Sequence, residues 1–78
     1  MSILLFGSSH CAPCGVVKHK LDTHWIEYDY IDVESKSGMA LVSKYGVSSV
    51  PTMIMTEDDE VTFIAGNAIN EELARILK

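Results

Sequence analysis

The chain has 78 residues, 47% of them hydrophobic, which is enough for one small domain over residues 1–78 with a continuous core. The formal net charge is −5 and the six Lys and Arg residues are scattered. This excludes a nucleic-acid partner, since phosphate binding needs clustered basic side chains. No apolar stretch approaches the ~20 residues that span a bilayer, and no basic, apolar leader is present. We therefore expect a monomeric, cytoplasmic protein that does not bind membranes.

The N-terminal part of the chain predicts a strand, a helix and a second strand. The run from Ser2 to Phe6 is continuously apolar, as in a buried strand. A helix is expected from Ala12 to Asp22, because its apolar residues recur with helical spacing: Cys14, Val17 and Leu21, with Val16 alongside. Aromatic and β-branched residues from Trp25 to Val33 predict a strand. We interpret its aromatic side chains as sheet packing rather than as a substrate platform: Trp25, Tyr28 and Tyr30.

The middle of the chain predicts a second helix. Ser35 or Ser37 would cap it, and it would continue to about Tyr45 and end at Gly46. Its apolar side would comprise Ala40, Leu41, Val42 and Tyr45.

The C-terminal part predicts a hairpin and a last helix. Two short apolar segments, 53–55 and 61–65, flank an acidic turn at 57–60. Gly66 ends the second strand, and Asn70 or Asn67 would cap a helix whose core stripe is Ile69, Leu73, Ile76 and Leu77. The order β-α-β-α-β-β-α starts with a parallel pair and adds an antiparallel hairpin. We therefore expect an α/β fold, a four-stranded mixed sheet with helices on both faces.

The two cysteines of the chain, Cys11 and Cys14, lie two residues apart at the junction of the first strand and helix. Sulfur at a helix N-terminus is stabilised as thiolate by the free N–H groups there, and thiolate is the species that attacks disulfides. Pro13 fits the first helical turn and stiffens the dithiol ring. The spacing and position indicate redox chemistry, with Cys11 as the exposed nucleophile and Cys14 as the resolving thiol.

A small zinc-binding or adaptor domain without catalysis is the alternative interpretation of the same residues. His19 and His24 follow the cysteines at a spacing that fits a small zinc knuckle. Against a metal, residues 15–22 read as an apolar-faced helix on which His19 lies ~140° from Cys14. We therefore predict no metal site.

Three motifs give the chain a resemblance to the thioredoxin superfamily. The first is Cys11-Ala12-Pro13-Cys14, which is similar to the C-G-P-C of thioredoxins. The second is the run from Lys44 to Thr52, which resembles the segment that ends in the thioredoxin cis-proline. The third is Gly66 followed by an amphipathic helix.

The resemblance implies a thioredoxin-like fold and a thiol–disulfide oxidoreductase that reduces protein disulfides. It implies a cis bond before Pro51, which would hold the Val50 backbone beside the dithiol, and a substrate site that includes Gly66. It also implies a flavoprotein reductase or glutathione as electron donor, and ribonucleotide reductase among the partners. No cofactor is implied beyond the redox-active Cys11–Cys14 disulfide.

The chain departs from both branches of the superfamily. Its size is that of a glutaredoxin, yet the glutaredoxin lysine falls on Ser8, and the acidic pair that meets the amino group of glutathione has no counterpart in residues 65–68. A glutathione-dependent glutaredoxin is therefore the weaker alternative. The thioredoxin tryptophan before the first cysteine is His10, whose positive charge, when protonated, would favour the Cys11 thiolate.

Overall fold

The computed structural model describes residues 2–66 and 68–76, which form a four-stranded mixed sheet and three helices in the predicted order. The elements are β1 (Ser2–Gly7), α1 (Ala12–Thr23), β2 (Asp29–Asp32), α2 (Lys36–Tyr45), β3 (Thr52–Glu57), β4 (Glu60–Ala65) and α3 (Ala68–Ile76). The strand order is β2-β1-β3-β4. β1 and β2 are parallel, and the other two pairs are antiparallel. The predicted fold class is thereby confirmed.

Alternate residues of β1 face opposite sides of the sheet, and each side is covered by helix. Leu5 pairs with Met53 on β3, and both belong to a buried cluster on the α1 and α3 side that also contains Ile3, Val17, Leu21, Ile69 and Leu73. On the opposite side, the ring of Phe6 packs edge-on against Tyr45 of α2, with 6.3 Å between ring centroids. Val16, which the sequence placed beside the buried stripe of α1, is 50% exposed.

The segment after α1 differs from the prediction, because the strand expected from Trp25 begins only at Asp29. The N–H of Ile26 donates to the carbonyl of Leu21 (3.0 Å), and the N–H of Trp25 donates to that of Asp22 (3.2 Å). These two bonds form a Schellman motif, which requires the left-handed conformation at Trp25 (φ 57°). The indole is 92% exposed, so the prediction that Trp25 packs on the sheet was wrong.

The cap residues of α2 lie where the sequence placed them. The Ser35 hydroxyl accepts a hydrogen bond from the Gly38 N–H (2.9 Å), and Gly46 ends the helix in the left-handed region with φ 69°. The buried side matches the predicted one in part, since Leu41, Val42 and Tyr45 are half-buried. Ala40 is exposed, and Gly38 is the fully buried residue of the helix because it lies against the backbone of Asp32.

The last helix begins earlier than one of its two predicted caps. Asn70 lies inside α3, where its amide oxygen accepts a hydrogen bond from Lys20 Nζ on α1 (3.0 Å), so its assignment as N-cap was wrong. The other candidate, Asn67, lies outside the described residues, as do Leu77 and the side chain of Ile76. None of the three described helices is long and apolar enough to cross a membrane.

Candidate functional site

The topology brings three separate parts of the chain to one end of the sheet. Phe6 pairs with Thr52, and Thr52 pairs with Ala65. Three parts of the chain therefore meet at the same end of the sheet. They are the loop that leaves β1 toward the cysteines, the proline that precedes β3 and the glycine that follows β4. The sequence-predicted residues of the site belong to these three segments.

Cys11 is the N-cap of α1 and forms a disulfide with Cys14 in the first turn, with 5.3 Å between the two Cα atoms. Its Sγ accepts a hydrogen bond from the Cys14 N–H (3.3 Å), and its own N–H donates to the carbonyl of Ser8 (3.3 Å). Cys11 is partly exposed, whereas Cys14 is 1% exposed. Pro13 occupies the first turn, where a missing N–H has no cost. The sulfur at the helix end is thus the one that another molecule can reach.

The peptide bond between Val50 and Pro51 is cis, as the resemblance implied. Pro51 is buried, and its carbonyl accepts a hydrogen bond from the N–H of Gly66 (2.9 Å). Gly66 has φ 60°, a conformation that favours glycine. The hydroxyl of Thr52 donates to the carbonyl of Ser49 (2.6 Å) and so fixes the turn ahead of the proline. The structure thus brings Val50, Pro51 and Gly66 together through hydrogen bonds. That these residues contact the substrate stays a prediction.

His10 lies exposed in the loop immediately before the dithiol. In the same loop, the hydroxyl of Ser9 donates to the carboxylate of Glu34 (3.2 Å), which ties the loop to the segment after β2. The effect of His10 on the thiolate stays a prediction.

The two histidines of the zinc alternative lie further along the helix. The His19 ring is 3.5 Å from the Thr23 hydroxyl, and Nδ1 of His24 is 2.9 Å from the carbonyl of Lys20. Within residues 2–66 and 68–76, no three His, Cys, Asp or Glu side chains are grouped as a metal site would need.

Sequence reasoning missed two residues that lie against the buried cysteine. Gly7, the last residue of β1, is so close to Cys14 that a methyl group added to it would lie 3.2 Å from Cys14 Sγ and 2.8 Å from Tyr30 Oη. Tyr30 comes from β2, where it pairs with Leu5. No signal in the sequence could place it there, because the position depends on the register between β1 and β2.

A polar network lies on the outer side of α1. Asp22 accepts hydrogen bonds from the Tyr28 hydroxyl (2.7 Å) and from Lys18 Nζ (3.3 Å). The bond from Tyr28, reinforced by Lys18, lowers the pKa of Asp22, and the bond to Asp22 raises the pKa of Lys18. Burial of the ring and the bond to Asp22 both raise the pKa of Tyr28. This network links α1 to the residue just before β2.

Comparisons with solved structures show the same fold over almost the whole chain. The thioredoxin-like protein BC3987 is 28% identical, with a TM-score of 0.71 over 96% of this chain and 99% of that one. A mutant thioredoxin from Halobacterium salinarum is 26% identical, with a TM-score of 0.77 over 96% of this chain and 69% of that one. NrdH-redoxin from Escherichia coli is 19% identical, with a TM-score of 0.67 over 91% and 93% of the two chains.

The sequence itself carries a family signature. No curated protein matches the whole sequence closely enough to count as a relative. The family model named Glutaredoxin, however, matches residues 3–59, which is more than half of the chain and contains both cysteines and the cis-proline. With the thioredoxin-like fold and the disulfide-bonded C-x-x-C pair, this match shows that the chain belongs to the glutaredoxin family of redox proteins.

Proposed function

We propose that this protein is a thiol–disulfide oxidoreductase that reduces disulfides in other proteins by dithiol exchange. The observation that carries the proposal is the asymmetry of the cysteine pair. Cys11 is partly exposed at the N-cap of α1, and Cys14, bonded to it, is buried one turn along the same helix. One sulfur is placed to meet a substrate, and the other to complete the exchange.

The reaction has two steps. The Cys11 thiolate attacks one sulfur of the substrate disulfide, so a mixed disulfide forms and the other substrate sulfur leaves as a thiolate that takes up a proton. Cys14 then loses its proton and attacks Cys11 Sγ. The Cys11–Cys14 bond forms, the bond from Cys11 to the substrate breaks, and the substrate leaves with both sulfurs reduced. The dithiol has supplied two electrons.

An extended substrate segment would dock beside the dithiol. The Val50 N–H and C=O are the candidate partners for its backbone, as in the addition of a strand to an exposed edge. The bond between the Gly66 N–H and the Pro51 carbonyl holds this segment in place. Escherichia coli NrdH-redoxin, whose fold this chain shares, is a glutaredoxin-like protein with a thioredoxin-like activity profile, and we propose such a profile for this protein.

The electron donor is proposed to be a flavoprotein reductase, with glutathione as the alternative. The segment at residues 65–68 lacks the acidic pair that glutaredoxins use for glutathione, which favours the reductase. Ribonucleotide reductase is a candidate protein substrate on the strength of the thioredoxin resemblance. We place this activity in the cytoplasm and in a monomer.

The direct test is the reduction of a model protein disulfide by the purified protein, with thioredoxin reductase and NADPH in one series and glutathione in the other. We expect turnover in the first series, and Cys11→Ser, the matched control, should abolish it. Turnover with glutathione alone would change the assigned donor. Absence of reduction in both series would refute the proposed function.

A further inference from the structure

We infer that the Tyr30 hydroxyl donates a hydrogen bond to the thiolate of reduced Cys14 and so promotes the second step of exchange. The role of this hydrogen bond in exchange rests on the proposed function. The hydrogen bond itself can be tested in the reduced protein without any substrate. It assigns a task to a residue of β2 that lies outside the C-x-x-C motif.

Cys14 needs such a donor because of its surroundings. Its side chain is 1% exposed, and burial among apolar groups raises the pKa of a thiol and so opposes the thiolate that must attack Cys11. The side chains of Leu5 and Phe6 on β1 are fully buried hydrocarbon, so they cannot donate a hydrogen bond. Its backbone N–H lies in the first turn but is directed to Cys11 Sγ.

The Tyr30 hydroxyl approaches this sulfur from the adjacent strand. It pairs with Leu5 and therefore faces the α1 side of the sheet, where Leu5 lies in the core beneath the helix. A methyl group on Gly7 would lie 2.8 Å from Tyr30 Oη and 3.2 Å from Cys14 Sγ. The two atoms thus border the same small space and are separated by no more than the sum of these distances. Glycine at position 7 leaves that space open.

The hydroxyl is suited to donate in the reduced state. The hydroxyl of Tyr28, two residues earlier, donates its hydrogen bond to Asp22, whereas the side-chain hydrogen bonds of residues 2–66 and 68–76 include none from the Tyr30 hydroxyl. Tyr30 is 38% exposed, so its outer edge is in contact with water, while Cys14 is not. A hydrogen bond from a neutral donor to a charged acceptor is among the stronger kinds in proteins.

Cys14 gives its proton to water, and its thiolate accepts the hydrogen bond from Tyr30, which keeps its own proton throughout. The thiolate then attacks Cys11 Sγ, so the ring disulfide forms and the substrate sulfur leaves with the electron pair and is protonated. Once Cys14 is in the disulfide, its sulfur is neutral and a poor acceptor, and the hydrogen bonds of the described residues in this oxidised form include none between Tyr30 and Cys14.

Other titratable groups also surround this end of the sheet. Neither β1 nor the segment before Pro51 contributes a charged side chain. Among the described elements packed around this end of the sheet, these groups are Cys11 and His10 at the start of α1, Lys18 nearly two turns further along it, Tyr28 before β2, Asp32 at the end of β2 and Glu34 after it. The experiment below replaces Cys11 by Ser, and the other groups are the same in that parent and in its Tyr30→Phe variant, so they cancel in this comparison.

The experiment titrates Cys14 as the single thiol of the reduced Cys11→Ser protein, through the pH dependence of its thiolate absorbance. Replacement of Tyr30 by Phe removes one oxygen and keeps the ring. We expect Tyr30→Phe to lower the thiolate fraction at a given pH about tenfold, the effect of about 1.4 kcal/mol for a hydrogen bond to a charged group. In the protein with both cysteines, substrate release from Cys11 should slow by only about threefold, because a more basic thiolate is also a better nucleophile.

Tyr28→Phe is the matched control, since it removes the same group two residues earlier, just before β2, at the bond to Asp22. It should leave the Cys14 titration unchanged. Equal titration curves for Tyr30→Phe and the parent would overturn the inference, as would an equal shift in both Phe variants. Failure of the wild-type protein to reduce disulfides would refute the proposed function without altering the titration, so the two failures are distinct.

Discussion

At the scale of the residue, the two cysteines differ in what surrounds each sulfur. Cys11 precedes the first helical residue, and its sulfur accepts the N–H that a Ser or Asp oxygen accepts in other helix caps. Cys14 is three residues on and lies on the face that carries Val17 and Leu21 into the core. Cap position and helical period thus give two identical side chains the different exposures that the proposed roles of attack and resolution require.

This division predicts which variant traps a substrate. Cys14→Ser should accumulate a mixed disulfide through Cys11, because the first step proceeds and no resolving thiol follows. Cys11→Ser should trap none, since the remaining thiol is buried. Mass spectrometry of the protein after incubation with an oxidised model substrate would measure the adduct. An adduct on Cys11→Ser but not on Cys14→Ser would reverse the two assignments.

The sequence was sufficient to predict the position of the cysteine pair, but it was insufficient to predict which residues of other elements lie near it. The spacing of Cys11 and Cys14 and the apolar stripe behind them are local patterns, so both could be read directly. Tyr30 reaches Cys14 only through the parallel register of β1 and β2, and a shift of one residue would turn it to the other side of the sheet. Nothing within either strand specifies that register.

At the scale of the element, one helix end could be predicted from the sequence and another could not. Both α1 and α2 end with a residue in the left-handed region whose successor donates to a carbonyl five residues earlier. At α2 that residue is Gly46, and the end was predicted because glycine is the expected residue. At α1 it is Trp25, which carries no such signal. The predicted strand therefore started four residues too early.

Gly38 gives the sharpest prediction at this scale. A methyl group there would overlap the carbonyl oxygen of Asp32, so Gly38→Ala should lower the free energy of unfolding by about 1–3 kcal/mol. This loss exceeds the gain of at most about 1 kcal/mol from better helix propensity. Urea unfolding followed by circular dichroism would measure it.

Gly15 provides the control, because it is also helical but has no atom within 4 Å of an added methyl group. Gly15→Ala should raise the free energy of unfolding by about 0.5–1 kcal/mol. Equal effects of the two substitutions would show that α2 is not packed against Asp32.

At the scale of the whole molecule, the crossover and the hairpin could be predicted from element order alone, since a strand–helix–strand unit forces a parallel pair and a tight turn an antiparallel one. The arrangement carries the cysteines, Pro51 and Gly66 to one end of the sheet. The polar network of Lys18, Asp22 and Tyr28 instead links α1 to the segment leading into β2.

That network predicts how stability depends on pH. Because the bond from Tyr28 and the charge of Lys18 hold the pKa of Asp22 below its ordinary value of 3.8 in the folded protein, its contribution is fully present above that value and is lost as the pH falls through the folded pKa. Lys18, whose pKa is raised above 10.5, contributes below that value and loses its contribution as the pH rises through the folded pKa.

Asp22→Asn should therefore reduce stability at neutral pH and flatten the acid limb of the curve of unfolding free energy against pH. Asp29→Asn makes the same change in net charge at an exposed carboxylate of β2 and serves as the control. Chemical unfolding from acid to neutral pH would compare the variants. Parallel acid limbs for wild type and Asp22→Asn would contradict the role of the network.

The left-handed turn after α1 also determines what tryptophan spectroscopy can detect. Trp25 is the single tryptophan and is 92% exposed, at the opposite end of a 12-residue helix from the dithiol, or about 18 Å away. Its emission is that of a hydrated indole in the folded chain and remains so after unfolding, and the disulfide is too distant to quench it by contact. Indole fluorescence is therefore insensitive both to the redox state of Cys11 and Cys14 and to loss of the core.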